Sequence, residues 1–251
     1  MLKLMYADYF KMWKNKSLLS ILTMSVVPLI FSIIVSMDLE SMKMADGAFN
    51  LLSFPQSMWQ FVFGTSLPIL ILSYLSSSLG RELKAGNLIY QVTRVADRNK
   101  IVYAKLWTIL SLNLLYFITF HSVGFISYLI FINGTRFAGN VVFDLATSQE
   151  FLLTVFTFLL QFVFCILAFL LSFKVSTIGL VIFSFVGTTL LSLLSSIDLI
   201  RNFVPGSVFY APQLFADGQF EKVMFGQSMG LLLMTILLVV CSKRLFVRAS
   251  V

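Results

Sequence analysis

FLLTVFTFLLQFVFCILAFLLSF, residues 151–173, runs without a single Lys, Arg, Asp or Glu. A helix needs roughly 20 apolar residues to cross about 30 Å of hydrocarbon, so this stretch is long enough to span a bilayer. Five further runs share its character, at 18–37, 58–79, 106–132, 175–197 and 226–242. The chain has 251 residues, 59% of them hydrophobic and 12% charged; a soluble domain carries about a quarter charged residues. Its mean hydropathy is +0.94. A transmembrane barrel requires segments of about ten residues alternating apolar with polar, and TILLVV, residues 235–240, shows no such alternation. The expected fold is therefore all-α, a polytopic membrane protein of six transmembrane helices forming one domain over residues 1–251.

Positive charge sets the orientation, because Lys and Arg in short loops stay on the cytoplasmic side. With the N-terminus inside, the cytoplasmic pieces hold Lys3, Lys11, Lys14, Lys16, six cations from Arg81 to Lys105, Lys174, Lys243, Arg244 and Arg248. The outer pieces hold only Lys43, Arg136, Arg201 and Lys222, whereas eight of the 11 acids lie there. Both termini are expected to be cytoplasmic. The net charge of +7 follows from topology rather than from a basic soluble face, which speaks against nucleic acid as a partner. The first apolar run is expected to be retained rather than cleaved, since it is full length and no small-residue cleavage site follows it. Cys165 and Cys241, each inside a predicted span, provide no disulfide framework.

Before the first span, residues 1–17 place Leu2, Met5, Tyr6, Tyr9 and Trp13 on one helical face, with Lys3, Lys11 and Lys14 largely opposite. This predicts an amphipathic interfacial elbow, its aromatics at the level of the headgroups and its cations towards anionic lipid. Of the outer loops, 198–225 is the most distinctive. Pro205 and Pro212 prevent a long helix there, leaving open a compact re-entrant or interfacial element, or an ordinary ordered loop.

Catalytic chemistry is poorly provided for. His121 is the single histidine, inside the third span, and both a hydrogen bond to a neighbouring helix and a lining position in a polar path are open to it. HExxH, Cys/His clusters, GxSxG and GxxxxGK[ST] are all absent, so an enzyme is not expected and no cofactor is assigned to this chain. The spans carry Gln60, Asn113, Gln161, Thr188 and Thr189, types that commonly bond helices together. Gly226 and Gly230 form a GxxxG pair, a weak sign of close helix approach.

The segment RELKAGNLIYQVTRVADRNK, residues 81–100, is too polar for lipid and too short for a core of its own. Gly86 and Asn87 divide it, Leu88, Val92 and Val95 share a face, and Asp97 or Asn99 is placed to cap the helix that follows. Its spacing of Glu82, Gly86, Arg98 and Lys105 resembles the cytoplasmic loop of the membrane subunit of ABC-2 type ABC transporters. In that family the loop reads E-x-x-x-G-T, an amphipathic stretch, a Pro-x-Arg-like turn and a Lys at the start of the third span. Here Asn87 stands for the Thr, and Val95 and Ala96 occupy the place of the Pro. The six spans, the elbow and VPGSVFYAP before the last span are also similar.

The resemblance implies a coupling segment over 80–105 that docks on a separate cytoplasmic ABC ATPase, on which ATP and Mg are bound. Leu88, Val92 and Val95 would enter an apolar groove, with Arg81, Lys84, Arg94 and Arg98 pairing with acids at its rim. It implies a second permease copy, identical or related, and a place in a bacterial plasma membrane in contact with lipid. The length is similar to small permeases of lantibiotic immunity and of amphipathic peptide or toxin export in Gram-positive bacteria. The alternative is a passive channel or a membrane-embedded interaction protein without an ATPase.

Overall fold

Pro28 breaks the first apolar run in two. Without an N–H it cannot donate to the carbonyl one turn back, and in the computed structural model α2 (Ser17–Met24) ends before α3 (Val27–Ser36) begins. The structure describes residues 2–37, 45–74, 98–139, 145–172, 174–210 and 219–249. Among them every regular element is a helix, apart from one isolated bridge between Phe49 and Ala138. Ahead of the break lies α1 (Leu2–Lys14), and after it come α4 (Ser53–Tyr74) and α5 (Arg98–Ser127), which continues as a π-helical turn at Tyr128–Ile132. Then follow α6 (Leu145–Leu171), α7 (Thr177–Ser195), a 3-10 turn at Arg201–Phe203, α8 (Ser207–Tyr210) and α9 (Gln219–Ala249).

Among the described residues, five helices are long and apolar enough to cross a membrane: Ser17–Ser36, Asn99–Ile132, Gln149–Leu171, Ile178–Ser195 and Gln219–Arg244. They match five of the six predicted runs. The remaining run, 58–79, falls on α4 as far as Tyr74 and otherwise lies outside the described residues. α4 is the hub of the bundle, packing on α2, α3, α5, α6 and α7. A helix enclosed in this way can afford Gln56 and Ser66, both buried, because protein rather than lipid surrounds them. Phe54, Met58, Trp59, Val62, Phe63 and Leu70 are buried on it as well. Outward-facing Ile178, Leu193, Ile236 and Leu237 keep large apolar surfaces exposed, as a lipid-facing helix does.

The loops sort to opposite ends of α5. At one end, α1 packs on its start. At the other, residues 45–50 pair with residues 136–139: Gly47 N donates to Arg136 O (2.9 Å), and Phe49 N to Phe137 O (3.1 Å). Gly139 is required there, since a Cβ would stand 2.7 Å from the Gly47 carbonyl oxygen.

Within this loop residues 204–208 pack into the bundle, whereas Leu199 and Phe203 stay exposed. Ser207 and Val208 are fully buried, and the Phe209 ring meets Phe63 of α4 at 5.2 Å. Buried irregular backbone needs protein partners for its polar groups. Gln227 provides them: Oε1 accepts from Gly206 N (3.1 Å), while Nε2 donates to Ser207 Oγ (2.7 Å) and Asn202 O (3.3 Å). Gln227 stands eight residues into α9, roughly 12 Å along its axis. Gln227→Leu is expected to cost about 1–3 kcal/mol by orphaning these groups, detected as faster protease cleavage within 198–210.

Candidate functional site at the base of the fifth helix

The base of α5 is where the structure meets the predicted coupling segment. Arg81, Glu82, Lys84, Gly86, Leu88, Val92, Arg94 and Val95 lie outside the described residues, as does Asp97. Arg98 is the first residue of α5 and Asn99 the second, so the helix starts eight residues before the predicted apolar run.

Lys105 is described, and it points inward. Its side chain is 3% exposed and its Nζ donates to Asp8 Oδ1 at 2.5 Å; Asp8 is itself 2% exposed. Two charges at this depth persist only as a pair, because desolvating either alone costs several kcal/mol. Lys105 therefore holds α1 to α5, where its place in the predicted segment suggested a surface role. Two further contacts fasten the joint. Tyr9 Oη donates to Ser111 Oγ at 2.7 Å, and Met12 is completely buried, clustered with Ile21, Ile101 and Val102. Burial holds the Tyr9 hydroxyl above its usual range, so it remains a protonated donor at neutral pH.

This packing divides the face predicted for the elbow. Leu2, Tyr6 and Trp13 are exposed, as is Phe10, under the Lys14 ammonium at 5.5 Å; Met5 is intermediate, and Tyr9 turns towards α5. The outward aromatic stripe is thus narrower than expected. The reason is Asp8: an acid in the middle of the helix can be buried only on the side where Lys105 neutralises it. The chain then turns at Lys16, whose backbone is left-handed at φ 58°.

Deeper in the bundle, α4, α5 and α6 meet around Trp59. Its ring centroid lies 5.3 Å from Tyr116, 5.1 Å from Phe117 and 5.4 Å from both Phe120 and His121, and its Nε1 donates to Thr157 Oγ1 at 2.9 Å. His121 Nδ1 pairs with the Phe117 carbonyl at 2.9 Å within its own helix, so the imidazole is a member of the aromatic cluster. Asn113 accepts from Cys165 Sγ at 3.9 Å, a helix-to-helix contact of the kind expected, whereas Thr188 and Thr189 bond back to their own helix. A Cβ at Gly226 or Gly230 would meet nothing within 4 Å, so the GxxxG pair brings no helix close among the described residues. The close approach lies instead at Gly124, where a Cβ would stand 2.9 Å from Pro55 Cβ. No group of three or more His, Cys, Asp or Glu able to hold a metal is found among the described residues.

The class this architecture defines is an all-helical bundle with five helices of membrane-spanning length and composition. No family model, curated protein or solved structure matches the chain.

Proposed function

We propose that this chain is the six-span permease subunit of an ATP-driven ABC exporter of the bacterial plasma membrane, moving amphipathic peptides or other hydrophobic compounds. ATP and Mg are held by a separate cytoplasmic ATPase, and two permease copies enclose the path. The observation that carries the reading is the basic segment 80–105, with its Glu82, Gly86 and Arg98 spacing, running into a helix base locked by Asp8 and Lys105. An interaction that pushes on a segment does work only if the segment is joined to something rigid, and that joint supplies it. The α1 stripe of Leu2, Tyr6, Phe10 and Trp13 then lies in the cytoplasmic headgroup layer.

The test is co-reconstitution with the ATPase in lipid vesicles. Arg94→Glu together with Arg98→Glu is expected to abolish stimulation of ATP hydrolysis while the protein still inserts. Undiminished stimulation would remove the coupling role. A chain that never co-purifies with a nucleotide-binding subunit in mild detergent fits the passive channel or interaction protein instead.

A further inference from the structure

The seam between α4, α5 and α6 carries polar groups that the fold leaves unfilled. Gln161 on α6 is 0% exposed, yet neither its Oε1 nor its Nε2 has a hydrogen-bond partner among the described residues. The Tyr116 hydroxyl on α5 is also buried and unpartnered, close to Ser66 of α4, whose own hydroxyl donates to the Phe63 carbonyl. Helix register sets these groups at neighbouring levels of the bundle. Trp59 joins Thr157 of α6 and packs on Tyr116, and Cys165 joins Asn113. Gln161 follows Thr157 by four residues and precedes Cys165 by four, on the same helical face. Tyr116 follows Asn113 by three and packs on Trp59 itself, so the same two contacts that flank Gln161 set the level of Tyr116.

Leaving these atoms empty is expensive, at about 1–3 kcal/mol for each buried group without a partner. A buried water needs two to four polar neighbours. Gln161 supplies two such atoms and the Tyr116 hydroxyl, beside Ser66, a third. No Asp, Glu, Lys or Arg occurs in α4, in residues 106–132 of α5 or in residues 151–171 of α6, so the occupant is uncharged.

We infer that Tyr116 and Gln161 form an internal polar site in the α4–α5–α6 seam that binds a neutral hydrogen-bonding ligand, water in the resting chain. The site belongs to the bundle whatever drives transport. It gives an otherwise apolar interior a place where a neutral donor or acceptor is received without charge.

Radiolytic footprinting of the whole chain in lipid nanodiscs tests this, because radicals generated from bound water oxidise only the side chains beside it. Tyr116 is expected to be oxidised despite its burial, along with Cys165. Gln161→Met, close in volume but unable to hold water, is expected to lose the Tyr116 signal while exposed Tyr6 is labelled as before. Unmodified Tyr116 and Cys165 in the wild type, with Tyr6 labelled, would overturn the site. So would a Gln161→Met chain that keeps the Tyr116 signal and unfolds at a higher temperature, the behaviour of a dry orphan amide replaced by an apolar group. The wild-type measurement needs no variant, so it decides the matter even if Gln161→Met fails to fold.

Discussion

Lys105→Met is expected to destabilise the chain by about 3–5 kcal/mol, the scale for removing one partner of a buried ion pair. The substitution leaves the Asp8 carboxylate in a site that excludes water, 2% exposed, with its nearest cation gone. Asp8→Leu should hurt for the mirror reason, removing the carboxylate to which Lys105 Nζ donates. The double variant Asp8→Leu with Lys105→Met should recover most of the loss, because replacing a buried pair by apolar groups of similar volume is often neutral. Reversible unfolding in mixed detergent micelles, followed by Trp fluorescence, measures all three. If each single variant is as stable as the parent, the pair does not hold α1 to α5. On the exporter reading, the single variants also lose transport more steeply than stability, because the base of α5 is freed from α1.

Trp59→Ala carries the second large effect, about 3 kcal/mol. In lipid no hydrophobic force draws helices together, so association rests on close packing and on interhelical hydrogen bonds. Trp59 supplies both: four ring neighbours on α5 and a hydrogen bond to Thr157 on α6. Trp59→Phe separates the two contributions. It keeps most of the ring and removes only the Nε1 donor, for about 1 kcal/mol. Unfolding of the two variants side by side checks the ratio; equal losses would mean that the hydrogen bond, not the packing, fastens the three helices.

Much of this fold was legible because lipid imposes a simple rule. The runs 151–173 and 226–242 carry no charge, and residues 151–171 and 226–242 lie on helices of spanning length. The buried turn at 204–208 was half legible: Pro205 and Pro212 speak against a long helix, but the partner that holds the turn, Gln227, stands in a different helix. Asp8 and Lys105 were harder still. They are separated by 97 positions, and helical periodicity near residue 8 assigns the acid to the polar side. The one available signal was that Asp8 is the only acid in the first 37 residues, amid four lysines. Gln161 reads as a helix-bonding residue, and only the packing shows that its amide finds no partner among the described residues. Sequence periodicity assigns a residue to a face; it does not say what the facing helix presents.

The central claim is that a separate ATPase acts on this chain through the segment 80–105. A photocrosslinking side chain placed at Val92, activated in intact membranes, tests it most directly. The expected product joins this chain to a polypeptide that carries a GxxxxGK[ST] loop and hydrolyses ATP. Crosslinks confined to lipid or to this chain itself would contradict the claim.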